Sequence, residues 1–473
     1  MFRPKHSRIL GAVVLTAALG LSACNDDKSD PVVPPARGDA EISANITADR
    51  TLYADTTYTI KGFVQVTNGA TLTIQPGTRI EGDFATVGSS LFITRGARIM
   101  ANGTATDPIV FTSSRPVGQR QAGDWGGLII IGNGIINRAA PVELEGTGTG
   151  PTNPAQVYSG GTNNADNSGV LRYVRVEFAG YGTAADQELN TFTFAAVGSG
   201  TTVEYLQALY GLDDSYEWFG GAVDGTYLVS YEAGDDHFDM SEGYVGRLQH
   251  LIAYQTARVV NRPGAGNASG DPQAIENDGC NGTGCVSGHN STPFTAPVVA
   301  NFTLVGTGAG TAFAATSGGY GMILRRGTGG YYVNGVVARF PKGAIGIRDA
   351  GTQTRITDGV LDMRNILVAE SPSIFTTASS GILLADSVAR NIVRDGTATT
   401  ASLFTTFSMP ATAASSFDWT PAAGSPAATG GLTTFTGNMA TAAGTFVQGT
   451  AYRGAAAPGG AKWWAGWTTY ARN

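Results

Sequence analysis

Charge is scarce in this 473-residue chain, in which 14% of the residues are Asp, Glu, Lys or Arg. The 30 basic residues are outnumbered by 37 acidic ones, for a net charge of −7. A nucleic-acid partner, which needs a broad basic face, is thereby excluded. Cysteine and histidine are rarer still, at three and four. Cys280 and Cys285 have no further ligands nearby in the sequence, so a structural zinc centre is not expected. Long helix-forming runs are also missing. The one apolar run near the N-terminus, residues 9–21, is shorter than the roughly 20 residues of a membrane-spanning helix. What is abundant is glycine, 66 residues, within a chain that is 42% hydrophobic. That content supports a large core and excludes wholesale disorder. Together with plentiful Thr, Val and Ile it points to β-structure.

The N-terminus reads as an address. Arg3, Lys5 and Arg8 precede the apolar run, which ends in Leu21-Ser22-Ala23-Cys24. This resembles the bacterial lipobox. The resemblance implies a signal peptide over 1–23, a lipid on the Cys24 thiol and a membrane held through that anchor. Asn25 stands where the inner-membrane retention signal has Asp, so the outer membrane is expected, surface-exposed rather than periplasmic. Residues 24–44, polar and Pro-rich, read as a tether. In an oxidising envelope, Cys280 and Cys285 across a Gly-rich spacer are expected to form a local disulfide.

Short β-rich runs punctuated by Gly, Asn and Asp recur every 19–25 residues between about 50 and 395. Leu72 to Ile80 is echoed by Leu91 to Ile99, with Gly77 and Gly96 spaced 19 apart. Such units bury their apolar faces only by stacking, with strands of successive coils about 4.8 Å apart. The segments LTIQPGTRIEG, GTATDPIVFTS and WGGLIIIGNG resemble the pectate-lyase-like superfamily. More narrowly, YGLDDSYEWFGG, GDDHFDMSEGY and the terminal WWAGWT resemble a family of bacterial surface lipoproteins of that fold. The resemblance implies an all-β chain, a single right-handed parallel β-helix over 45–399. Residues 400–473 are expected to supply C-terminal coils and an aromatic cap around Trp463, Trp464 and Trp467, with a sugar-stacking platform as the alternative. It also implies companionship with a TonB-dependent outer-membrane receptor.

Two successive coils carry an acidic ladder. Asp213 and Asp214 match Asp235 and Asp236, Tyr216 matches Phe238, and Glu217 matches Asp239, each 22 residues on. Glu242 adds an acid, and Glu276 supplies another about two coils later. Two ionised carboxylates ~5 Å apart repel by roughly 3 kcal/mol at an effective dielectric near 20. Relief comes from backbone N–H groups, protonation, an arginine or a cation. Two readings therefore stand. The acids cap tight turns, or they form a binding face. On the second reading, Asp213, Asp214, Asp235, Asp236 and Asp239 hold Ca²⁺, while Glu217, Trp218, Glu242, Glu276 and Arg326 complete a ligand site. Tyr216, Phe219, Tyr244 and Tyr254, with Trp218, are candidates to stack on sugar rings.

The expected function is a non-catalytic binding or scaffold protein that captures a nutrient such as a glycan for a TonB-dependent receptor. The alternative is a lyase or hydrolase of acidic polysaccharide, using Glu217, Asp236 and Asp239 with Arg326. GDDHFD resembles the Gly-Asp-Asp of polygalacturonases, but that family's remaining motifs are missing. A surface-layer or adhesin role is the third reading.

Overall fold

The computed structural model describes residues 38–470 apart from 140, 311–312, 314–315, 377–383 and 410. The signal segment, Cys24 and the tether up to residue 37 lie outside the described residues. Strand follows short strand with parallel pairing throughout the two large sheets, one of nine strands and one of seventeen. Each regular coil gives one strand to the nine-stranded sheet, here the front. It then gives the larger sheet, here the flank, either two short strands, as in Phe63–Val66 followed by Thr71–Ile74 and Arg79–Gly82, or one long bent strand, as in Phe192–Ala195 followed by Thr202–Leu209. The solenoid begins earlier than residue 45, because Gly38–Ile42 already pairs in register with Thr56–Ile60.

Inward positions stack coil on coil. Val174, Leu206, Leu228, Leu251 and Phe302 are successive register partners and all are fully buried. Each such side chain contributes about 1.5–3 kcal/mol of hydrophobic stabilisation. Where the long flank strands bend, one residue per coil adopts a left-handed backbone. Tyr173, Tyr205, Tyr227, His250, Asn301, Asn334, Asn365 and Asn391 form this row, with φ between 48° and 63°. Asn tolerates that conformation through its short polar side chain. The aromatic members offset the strain by stacking, with centroids 4.4 Å apart for Tyr173–Tyr205, 4.5 Å for Tyr205–Tyr227 and 4.9 Å for Tyr227–His250.

The 22-residue spacing is a true coil, since Leu206 pairs with Leu228 and Glu217 with Asp239. The 19-residue spacing is not. Leu72 pairs with Ile99, and Ile80 with Phe111. Gly77 and Gly96, at φ 78° and 85°, sit at different corners of the coil. The same strand–turn–strand chemistry serves both corners, so the echo relates unlike positions.

The C-terminal segment covers the solenoid along its flank instead of plugging its last coil. Asn334 donates to Leu432 O at 3.2 Å, Gln249 to Gln448 O at 2.8 Å, and Gln207 to Thr469 O at 2.6 Å. The segment thus runs back across coils that precede it by up to 292 residues, the separation of the Arg175 Nη1 bond to Trp467 O. Trp463 meets Tyr227 at 5.2 Å, and Trp467 stands edge-on to Tyr173 and Tyr205. Trp464 and Trp467 are buried in this packing, which removes them as a sugar platform. Among the described residues no helix is long and apolar enough to cross a membrane.

Trp467 is fully buried and donates its indole N–H to Trp463 O at 2.6 Å. Trp467→Ala is expected to destabilise the protein by about 3–5 kcal/mol, read from the urea midpoint. A loss under about 1 kcal/mol would show that the strap lies on the flank without stabilising it.

Candidate functional site

The floor of the site is the outer face of the front sheet. Strands Tyr216–Phe219, Phe238–Ser241 and Gln273–Asp278 are consecutive there, and their register places Glu217 beside Asp239 and Asp239 beside Glu276. Side chains alternate along each strand, so Tyr216 and Trp218 point into the solenoid while Glu217 points out. Glu276 is one coil beyond Asp239, not two, because the intervening turn over 255–272 loops out extra residues without adding a strand. The turns leading into the first two strands bring Asp213 and Asp214 alongside Asp235. Three overlapping triads result: Asp213, Asp214 and Asp235; Asp214, Glu217 and Asp239; and Asp236, Asp239 and Glu276. Within each, one oxygen per residue lies within 4.8 Å of the others.

Walls come from three insertions. The loop over 132–168 brings Arg138, Glu143, Glu145 and Tyr158, the short hairpin ending at Glu188 brings Gln187, and the disulfide segment brings Gly279 and Asn281. Together with the floor they enclose a cleft of about 360 Å³. Arg325 and Arg326 close one end. Arg325 binds Glu276, Asp278 at 2.8 Å and Asp271 at 3.5 Å, and Arg326 binds Asp278. Arg138 and the Tyr158 hydroxyl both bind Glu242. No histidine lines the cleft among the described residues.

The acid oxygens divide into those that tie one turn to the next and those left without a partner. Asp214 Oδ1 accepts from Asp236 N at 2.8 Å, and Asp236 Oδ1 accepts from Gln273 N, so each ties its turn to the next coil. Asp235 Oδ1, Asp239 Oδ1 and Ser241 Oγ are buried and have no hydrogen-bond partner. Ser241 lines the cleft and is 9% exposed. Burial first, and neighbouring carboxylates second, push Asp213, Asp214, Glu217, Asp236, Asp239 and Glu276 well above the ordinary carboxylate range. Burial lifts Asp235 to about 6, and burial together with Glu188 and Asp235 lifts Glu145 to about 7. At 4.8 Å an ionised pair repels by about 3.5 kcal/mol at an effective dielectric near 20. The floor therefore holds protons or a cation at neutral pH. A calcium ion fits the donor set: all donors are oxygens, Asp235 Oδ1, Asp239 Oδ1 and Ser241 Oγ are unsatisfied, and oxygens within 4.8 Å of one another can be bridged by one ion with ligands at about 2.3–2.6 Å.

Of the acids grouped from the sequence, Glu217, Asp239, Glu242 and Glu276 line the cleft, while Asp213, Asp214, Asp235 and Asp236 do not line it but join the neighbouring triads. Trp218 is a correction. It is fully buried inside the solenoid between Phe194 and Tyr244, because its strand parity is that of the core. Tyr216 and Tyr244 share that fate, and Tyr254 is packed under the strap against Phe417. Of the proposed sugar-stacking aromatics Phe219 alone lines the cleft. Arg326 reaches the cleft, but its neighbour Arg325 makes the larger set of ion pairs. Glu145, Glu188, Arg138 and Tyr158 went unrecognised, for they sit on insertions with no coil partner to align. The expected disulfide is formed, with Cys280 and Cys285 Cα atoms 5.8 Å apart.

The family model described as a pectate-lyase like β-helix domain matches residues 44–420, and the chain belongs to that family. No curated protein and no solved structure matches it. Membership fixes the solenoid and leaves the chemistry to the site.

A raised carboxylate pKa makes folding favour the protonated form, so its stabilising contribution is present at low pH and is lost as pH rises toward the folded value. In chelator, the melting temperature is expected to fall between pH 5 and pH 7.5, the window set by Asp235 near 6 and Glu145 near 7. Added calcium, which favours the ionised floor, should remove that fall. A melting temperature in chelator that is flat or rising over this window contradicts the electrostatic account.

Proposed function

Taking the chain as a pectate-lyase-like β-helix, we propose that its front cleft binds an anionic glycan through calcium, without cleaving it. The carrying observation is the pair of buried, unpartnered oxygens on Asp235 and Asp239 within overlapping carboxylate triads. A cation there would be held by Asp214, Glu217 and Asp239 or by Asp236, Asp239 and Glu276, the two triads with members lining the cleft, and would supply positive charge to a ligand carboxylate. Arg325 and Arg326 at the cleft end add charge-assisted donors. Phe219 offers an apolar edge for a sugar ring.

Two features favour binding over catalysis. Lyase chemistry needs an unengaged base, and Arg138, Arg325 and Arg326 are all held in ion pairs with carboxylates. Hydrolysis needs carboxyl groups on opposite sides of the scissile bond, whereas Glu217, Asp236 and Asp239 share one floor. Glu145, from the wall, is the one acid whose position and raised pKa favour the hydrolytic reading. The lipid anchor at Cys24, the outer-membrane location and a TonB-dependent receptor as partner are part of this proposal. They rest on the Leu21 to Cys24 motif and on family resemblance, and make the protein a capture device at a transporter's mouth.

Isothermal titration of the full chain with calcium, then with polygalacturonate, tests this reading. Calcium binding and calcium-dependent glycan binding are expected, with both lost in chelator. Asp239→Asn, which touches two triads, should weaken calcium by about tenfold or more while leaving the fold intact. Absence of calcium binding at neutral pH would overturn the reading, and release of shortened glycan would replace it with the enzymatic one.

A further inference from the structure

The wall that carries Arg138 and Tyr158 is fastened at a single place to the small disulfide loop. Ala139 N donates to Gly284 O at 2.8 Å, and Arg138 Nε donates to Thr283 O at 2.8 Å. Cys280 Sγ lies 3.6 Å from Asn137 O. The other end of Arg138 binds Glu242, which also accepts from Tyr158. The carbonyls that hold Arg138 and Ala139, of Thr283 and Gly284, therefore lie inside the ring closed by the disulfide. One end of that ring is rigid, since Gly279 and Cys280 donate to the carbonyls of Arg325 and Arg326. The other end, Cys285, makes only local backbone bonds: its N–H donates to Gly282 O at 3.4 Å within the ring, and its carbonyl accepts from Gly288 N at 3.0 Å just beyond it. Cys280 is buried, whereas Cys285 is half-exposed.

We propose that the Cys280–Cys285 bond is a thiol-operated latch on the cleft wall. A dithiol reductant attacks the accessible Cys285 sulfur as thiolate, forming a mixed disulfide and releasing Cys280 as thiolate, which takes a proton. The reductant's second thiolate then attacks its own sulfur in the mixed disulfide and expels Cys285. The protein gains two electrons and two protons, and the dithiol leaves as a cyclic disulfide. Opening the ring frees Thr283 and Gly284 to move, so Arg138 and Ala139 lose their fixed acceptors and the wall loosens over the acidic floor. That the loosened wall releases a bound ligand rests on the binding reading above; the latch itself does not.

Hydrogen exchange on the full chain, oxidised and then in dithiothreitol, separates the two. The Ala139 amide, which donates to Gly284 O, is expected to exchange at least about tenfold faster after reduction, while the Asn137 amide stays protected by Glu242 O. The floor strand Tyr216–Phe219 should remain protected, and reoxidation should restore the wall. The double variant Cys280→Ser with Cys285→Ser should reproduce the reduced behaviour without reductant. Unchanged wall exchange despite complete thiol titration overturns the latch. Equal loss of protection in wall and floor also overturns it, because the bond is then a general staple. Failure of the oxidised protein to bind calcium overturns the binding reading and leaves the latch standing.

Discussion

Every coil repeats its register on the next, so each side chain's nearest neighbour is its own counterpart one turn away. This constraint governs the molecule. Like must stack on like, and the consequence depends on the kind of side chain. Aliphatic rows such as Val174, Leu206, Leu228 and Leu251 gain from it. Aromatic rows gain as well, and the Tyr173–Tyr205–Tyr227 stack holds a row of left-handed residues that isolated tyrosines would resist. Carboxylates lose. Glu217, Asp239 and Glu276 are neighbours because the sheet makes them so. Their mutual repulsion is a standing feature that protons, Arg325 or a bound cation must answer.

The same constraint decides how much was legible in the sequence. Where two coils have equal length, as with the 22-residue pair, simple alignment placed Glu217 over Asp239 and Asp214 over Asp236. Where a turn is enlarged, alignment fails. Glu276 seemed a coil too far because 255–272 bulges, and Gly77 and Gly96 seemed equivalent although they turn different corners. Strand parity was legible and was missed: Tyr216 and Trp218 flank Glu217, so an outward Glu217 requires both rings to face inward. The wall was not legible, since Glu145 and Tyr158 belong to an insertion whose position depends on long-range contacts such as the Tyr158 bond to Glu242.

Solenoid and cleft are built by different rules. The solenoid supplies a flat, repetitive floor and nothing more specific. The insertions at 132–168 and 279–291, with the short hairpin that brings Gln187, convert a stretch of that floor into a cleft, and each contributes part of its wall. The strand Gly127–Ile131 shows the junction, since Leu128 and Ile130 face the core while Ile129 and Ile131 are buried under the wall with Val142, Leu144 and Tyr158. An unbroken apolar run in an otherwise alternating strand is the mark of a front face that is covered on both sides.

The strap along the flank sets an order of assembly. A repeat protein can ordinarily complete itself one coil at a time as the chain emerges. Here Leu209, Val229, Tyr231, Ile252 and Tyr254 face outward and are buried with Trp419, Trp467 and Tyr470. Until those last residues have been made, the coils already folded present an uncovered apolar stripe. Completion thus waits until the residues up to Tyr470 have been made. A chain arrested short of its final tryptophans is left adhesive over much of its length, a natural target for holdases and proteases.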